Sequence, residues 1–137
     1  MRIGVFDSGI GGLTVLKEII EKYPNNEYIY YGDTLNLPYG EKTKQELLII
    51  SNKIIDFLAK EKVDIIVIAC GTISANVYEL LKDNKYEIPI YDVITPTINY
   101  IIKNNITNVG IIATTMTIRS NVFSKNLDSK NVNNYSV

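Results

Sequence analysis

The chain of 137 residues contains no histidine, no tryptophan and only one cysteine, Cys70. The chain therefore lacks a group needed for each of three kinds of site: a cysteine–imidazole hydrolase, an internal disulfide and a metal site with soft ligands. Lys and Arg number 14 against 15 Asp and Glu, and no basic block suits a nucleic acid. No apolar run is long enough to span a membrane, and no signal peptide is apparent. We expect a cytoplasmic protein without a metal, a nucleic-acid partner or a membrane partner.

Strand-like and helix-like segments alternate along the whole chain. Apolar runs predict strands at 2–6, 27–31, 64–69, 88–93 and 108–112. Helical spacing predicts helices at 12–22, 43–61, 71–82, 96–103 and 117–127. Strict alternation implies right-handed crossovers, and it therefore predicts a three-layer α/β sandwich with a mostly parallel sheet. The final residues, 135–137, resemble the start of another strand.

Cys70 lies where an apolar run ends and small polar residues begin. This pattern is typical of a buried strand that turns into a helix. Ligands of parallel α/β sheets bind at the carboxyl edge, and the following helix N-terminus favours a thiolate. The sequence therefore predicts an accessible, reactive thiol with a lowered pKa at Cys70. A buried structural cysteine is the alternative.

The first predicted strand leads into a glycine-rich loop, residues 7–12. A dinucleotide-binding fold has its phosphate loop at this position, but the third glycine of that pattern is replaced here by Thr14. Asp7 also carries a negative charge where a pyrophosphate would bind. We therefore expect no nucleotide cofactor. Asp7 beside Ser8 suits the amine and carboxylate of a small polar ligand, whereas simple turn formation is the alternative.

Two further loops reach the same predicted edge. One spans 32–40 and contains Tyr39 and Gly40, and the other contains Thr114 and Thr117. Turn formation and helix capping are the alternative explanations for these residues. A ligand-binding site is indicated by these loops together and not by any one of them, because the four loops would bring an acid, hydroxyls, a tyrosine and a thiol to one edge of the sheet.

These motifs resemble those of bacterial glutamate racemases, within the aspartate/glutamate racemase family. The segments that carry the resemblance are 6–15, 32–34, 38–40, 69–75 and 113–120. They occur in the family's order and spacing, and the similarity covers essentially the whole chain. The resemblance implies that 1–95 is an incomplete lobe one of a two-lobed racemase and that 96–137 begins lobe two.

The family is cofactor-independent and interconverts L- and D-glutamate, which supplies peptidoglycan biosynthesis. Two cysteines transfer protons on opposite faces of the substrate. The resemblance implies that Cys70 is the first of this pair and that Asp7 guides the ammonium group and assists Cys70. The residues implied to bind substrate are Asp7, Ser8, Tyr39, Gly40, Gly71, Thr72, Thr114 and Thr117. The resemblance implies glutamate as the small-molecule partner, and it allows a homodimer.

Two departures from the family are visible. Gly71 stands where the family usually has Asn, so a substrate-binding amide is missing. The second cysteine and its neighbouring histidine have no counterpart, and we therefore expect a truncated racemase that is inactive by itself. The alternatives are a non-catalytic module that binds a small acid, an aspartate racemase, and a nucleotide-binding flavodoxin-like domain, which the glycine loop disfavours.

Overall fold

The computed structural model describes residues 1–137 and contains six strands, seven α-helices and two 3-10 helices, Thr34–Asn36 and Tyr39–Glu41. The strands are β1 (Arg2–Asp7), β2 (Glu27–Gly32), β3 (Ile65–Ile68), β4 (Ile90–Tyr91), β5 (Asn108–Ile111) and β6 (Asn133–Ser136). The helices are α1 (Leu13–Lys22), α2 (Lys44–Lys60), α3 (Gly71–Asn76), α4 (Tyr78–Leu81), α5 (Ile94–Lys103), α6 (Thr115–Ser120) and α7 (Val122–Asp128). None of the helices combines the length and apolar character needed to cross a membrane.

All strand pairs are parallel, and the strands form two sheets. The larger sheet has the order β2-β1-β3-β4, and the smaller consists of β5 and β6. The α/β fold with parallel strands is thereby confirmed. Asp7 pairs with Gly32, and Phe6 pairs with both Tyr31 and Ile68. The first three strands consequently end side by side, and their following loops begin at one edge of the sheet.

Two apolar clusters hold the fold together. In the larger one, Phe6 and Ile68 of the sheet pack with Leu47 and Leu58 of α2. A capping box at Thr43 fixes the start of α2, because the side chains of Thr43 and Glu46 each bond to the other's backbone N–H. The smaller cluster consists of Ile94, Ile98, Ile111, Leu127 and Val132. The loops at the carboxyl edge are therefore positioned by packed elements on both sides.

Most predicted elements agree with the observed ones to within two residues at each end, and three are interrupted or shortened. The helix predicted over 71–82 is interrupted at Val77, which separates α3 from α4. The helix predicted over 117–127 is interrupted at Asn121, which has a left-handed backbone conformation with φ 55°. Asparagine adopts this conformation more readily than most residues. The strand predicted over 88–93 is reduced to the two residues of β4. Local apolar spacing does not register such single-residue interruptions.

Ser51 is an unsatisfied polar residue in α2, since its fully buried hydroxyl has no hydrogen-bond partner. Burying an unpaired hydroxyl is unfavourable, and alanine is the better helix former. We expect Ser51→Ala to raise the free energy of unfolding by about 1 kcal/mol, measured by urea denaturation. Ser74→Ala is the matched control and should destabilise, because the Ser74 hydroxyl donates to the Ile68 carbonyl at 3.3 Å. A loss of stability in Ser51→Ala would contradict this interpretation.

Candidate active site

Asp7 ends β1 and organises the loop that follows. Its Oδ2 atom accepts hydrogen bonds from the backbone N–H groups of Gly9, at 3.2 Å, and Gly12, at 2.9 Å. A Cβ atom at position 12 would lie 2.6 Å from the Asp7 Cβ and 2.8 Å from the Ala69 Cβ, so only glycine allows this approach. The carboxylate is buried, and the half-buried Ser8 lies beside it at the carboxyl edge.

Cys70 directly precedes α3 and is only 4% exposed. It belongs to the larger apolar cluster, together with Tyr39 and Ile73. Burial raises the pKa of the Cys70 thiol, and the charge of Asp7 adds to this, while the backbone amide of Ile73 and the groups of Ser8 oppose it. Desolvation thus outweighs the dipole of the six-residue helix α3. The prediction of an accessible thiol with a lowered pKa is wrong.

The connection between β2 and α2 contains a buried pair, Asp33 and Tyr39. The Tyr39 hydroxyl donates to Oδ2 of Asp33 at 2.6 Å, and Nδ2 of Asn36 donates to both carboxylate oxygens at 2.8 Å. Burial raises the pKa of Tyr39, and its hydrogen bond to Asp33 raises it further. Tyr39 and Gly40 begin a three-residue 3-10 helix, Tyr39–Glu41, and the first N–H groups of a helix have no acceptor within that helix. The Tyr39 side chain therefore points into the core, and the backbone N–H groups of Tyr39 and Gly40 are available as donors.

Three threonine hydroxyls join α3 to the start of α6. The Oγ1 atom of Thr114 lies 3.0 Å from Oγ1 of Thr72 and 3.0 Å from Oγ1 of Thr117. Thr114 also caps α6, because its hydroxyl accepts the N–H of Thr117. A Cβ atom on Gly40 would lie 3.1 Å from the Cβ of Thr114. The loops after β2, β3 and β5 therefore meet in one place.

These contacts connect the residues that the sequence singled out. Gly71 lies between Cys70 and Thr72, and a Cβ at position 71 would have no atom within 4 Å. Sequence reasoning missed Tyr30, whose hydroxyl donates to the Gly9 carbonyl at 2.7 Å. Burial and the nearby Asp7 and Cys70 raise the pKa of Tyr30 to about 12. The strand alternation of β2, which directs Tyr28 and Tyr30 to one face, is the signal that identifies it.

The site combines hydrogen-bond donors with two buried carboxylates. The Asp33 carboxylate is occupied by Tyr39 and Asn36, whereas Asp7 has no ion-pair partner, so an ammonium group is the charge that complements Asp7. The hydroxyls and free N–H groups are suited instead to a carboxylate. No group of three or more His, Cys, Asp or Glu side chains is arranged to hold a metal ion. Cys70 is the only thiol of the chain, and it is free and buried.

The burial of Cys70 has a measurable consequence. At neutral pH we expect iodoacetamide to modify Cys70 at least about tenfold more slowly than free cysteine, because the thiol is neutral and enclosed. Burial raises the pKa of the Cys70 thiol above its ordinary value, so the rate should increase as the pH rises into the alkaline range where the thiolate forms. Mass spectrometry of a modification time course gives the rate, and the chain in urea is the control. Equal rates for the folded and unfolded chain would contradict the buried position.

No protein-family model matches the chain. The glutamate racemase of Hydrogenobaculum sp. (strain Y04AAS1) is 41% identical over 136 residues, which covers 98% of this chain and 52% of that relative. The glutamate racemase structure from Aquifex pyrophilus matches with a TM-score of 0.93 and 37% identity, covering 99% of this chain and 54% of that one. The Francisella tularensis glutamate racemase in complex with D-glutamate matches with a TM-score of 0.87 and 39% identity, covering 98% and 51%.

The similarity in sequence and in fold extends over almost every residue of the chain. The chain is therefore a homologue of part of the glutamate racemases, which confirms the resemblance drawn from the motifs. It spans about half the length of the curated relatives that it matches.

Proposed function

We propose that the chain forms the glutamate-binding part of a glutamate racemase site in which Cys70 is one of two proton-transfer groups. The observation that carries this proposal is the placement of the Cys70 thiol beside Asp7 and Ser8 at the carboxyl edge of a racemase fold. The Francisella tularensis relative, which this chain matches over 98% of its residues, is a complex with D-glutamate. Glutamate is accordingly the proposed substrate.

The α-proton of an amino acid is a very weak acid, so its removal needs both a base and stabilisation of the resulting charge. In the proposed reaction the Cα–H bond breaks, an S–H bond forms at Cys70, and the electron pair spreads into the α-carboxylate. The N–H groups of Tyr39 and Gly40 and the hydroxyls of Ser8 and Thr72 are the donors available to the substrate's carboxylates. Delivery of a proton to the opposite face then completes the inversion.

The raised pKa of Cys70 sets a requirement on this mechanism. Burial and the charge of Asp7 keep the thiol neutral before a ligand binds. A bound ammonium group would supply a positive charge near Asp7 and Cys70, which favours the thiolate, and the thiol proton would be released to solvent as the ligand binds. Asp7 would thus hold the ammonium group in position, and the substrate itself would help to generate the base.

The same proposal includes a division of the chain. We propose that the chain divides into a lobe one and a lobe two, predicted from the sequence as 1–95 and 96–137. The separate apolar clusters and sheets support two lobes, and the boundary belongs before Ile94, because Ile94 begins α5 and packs in the smaller cluster. The reducing conditions of the cytoplasm would keep the Cys70 thiol free. A homodimer stays a prediction.

A non-catalytic module that binds a small acid is the second candidate. The observation that favours it is the composition, because one cysteine and no histidine leave the opposite face of the substrate without a thiol or an imidazole. Both candidates require glutamate to bind. They differ in whether Cys70 exchanges the α-proton of the bound molecule.

Calorimetric titration with L-glutamate, D-glutamate and L-aspartate tests the proposed site. We expect both glutamate enantiomers to bind more tightly than aspartate, and Thr72→Val to weaken glutamate binding by about five- to tenfold through the loss of one hydroxyl. Thr97→Val is the matched control, because the Thr97 hydroxyl bonds to the Val93 carbonyl within the exposed part of α5. Absence of glutamate binding, or equal losses in both variants, would contradict the proposed site.

A further inference from the structure

Asp33 connects two loops of the candidate site. Its backbone N–H donates to the Asp7 carbonyl at 2.9 Å, and its carboxylate accepts the hydroxyl of Tyr39 and the amide of Asn36. Asp33 is only 4% exposed and makes no ion pair. A buried carboxylate is costly to keep, and turn formation alone would be served equally well by an exposed aspartate.

The hydrogen bond to Asp33 determines what Tyr39 offers to a ligand. The Tyr39 hydroxyl uses its only proton on Asp33, and its side chain is 2% exposed within the apolar cluster that contains Cys70. The side chain is therefore an internal anchor. The backbone of the turn is the part that remains available, because the N–H groups of Tyr39 and Gly40 are the first two of the 3-10 helix Tyr39–Glu41 and have no acceptor within that helix.

The anchored turn also contacts the threonine hydroxyls. Position 40 is close to Thr114, since a Cβ there would lie 3.1 Å from the Thr114 Cβ, and Thr114 bonds in turn to Thr72. Movement of the turn would therefore change the spacing between its N–H groups, the threonine hydroxyls and the Cys70 thiol. A charge-assisted hydrogen bond at 2.6 Å is strong enough to hold such a turn in one position.

We infer that Asp33 is a positioning residue that acts through Tyr39. It sets the Tyr39–Gly40 turn so that the two backbone N–H groups form a carboxylate-binding element next to Cys70. This role rests on the proposed function, because the carboxylate is that of glutamate. Asp33 touches neither the substrate nor the reacting atoms.

The test compares the 137-residue chain with Asp33→Asn, Tyr39→Phe and the double variant. We expect each single variant to weaken glutamate binding by about tenfold in calorimetry, because the N–H groups are displaced. The double variant should lose about the same tenfold and not the product, because both changes act on one interaction: Asp33→Asn replaces the charged acceptor of the Tyr39 hydroxyl with a neutral amide, and Tyr39→Phe removes that hydroxyl. Tyr28→Phe is the matched control: it also removes a tyrosine hydroxyl, which bonds to the Tyr23 carbonyl at 2.7 Å, and it should stay within about twofold of the wild type.

The rate of Cys70 alkylation is a second readout that needs no ligand. Loosening of the turn should increase the rate at fixed pH by about fivefold in Tyr39→Phe and in Asp33→Asn, and leave it unchanged in Tyr28→Phe. If the variants that fold bind glutamate as the wild type does, or are alkylated no faster than Tyr28→Phe, the positioning role is wrong. If the wild type binds no glutamate but the alkylation rates separate as expected, the proposed function fails while Asp33 still positions the turn.

Discussion

Replacing Gly12 with alanine is expected to lower the free energy of unfolding by about 3 kcal/mol, a large part of the stability of a small domain. The backbone at Gly12 has φ −64° and ψ −11°, which any residue adopts, so the cost is steric. The new Cβ would meet the Cβ atoms of Asp7 and Ala69 at 2.6 and 2.8 Å. Urea denaturation monitored by circular dichroism measures the change.

Gly71→Ala is the matched control for this substitution. The position begins α3, and a Cβ there would have no atom within 4 Å. Alanine should therefore raise the free energy of unfolding by about 0.5–1 kcal/mol, because it restricts the unfolded chain. Similar losses in Gly12→Ala and Gly71→Ala would show that close packing of the Asp7 loop is not what requires glycine.

The second large effect concerns catalysis. We expect the 137-residue chain to convert L- to D-glutamate at least about 10²–10⁴-fold more slowly than the Aquifex pyrophilus racemase assayed in parallel, because one proton-transfer group has no counterpart. Inversion needs a proton from the face opposite Cys70, and the chain has no other cysteine and no histidine. Chiral chromatography of a time course measures the conversion.

A blank with Cys70→Ala separates residual catalysis from background in this assay. Conversion at the rate of the Aquifex pyrophilus enzyme would require a second proton-transfer group among the residues of this chain. It would also overturn the expectation that the chain is inactive by itself.

Much of the fold can be predicted because its signals are local. Apolar β-forming runs alternate with helical spacing, and parallel strands must then place their following loops at one edge. The meeting of the loops of Asp7, Gly40 and Cys70 follows from this rule. The prediction that the Thr114 loop leaves the same sheet edge is wrong, because Thr114 follows β5 of the separate two-stranded sheet and reaches the other loops through its contacts with Thr72 and Gly40. The interruptions at Val77 and Asn121 do not, because a single backbone conformation can end a helix without changing its apolar pattern.

The state of Cys70 could not be predicted, because it depends on residues distant in sequence. Tyr39 and Ile73 help to enclose the thiol, and the resulting desolvation raises its pKa. The lowered pKa predicted from the sequence rests only on the helix dipole and on the position of Cys70 at the end of a strand. The Asp33–Tyr39 hydrogen bond was missed for a related reason, since an acid and a tyrosine in one loop are equally compatible with exposed turn positions.

The most direct test of Cys70 as a proton-transfer base is exchange of the glutamate α-proton in deuterated buffer, followed by NMR and by chiral chromatography. The account predicts that the 137-residue chain introduces deuterium slowly and with retained configuration, that the rate increases with pH as the Cys70 thiolate forms, and that Cys70→Ser abolishes the exchange. Exchange that is equal in the wild type and in Cys70→Ser, or no exchange with glutamate bound, would contradict it.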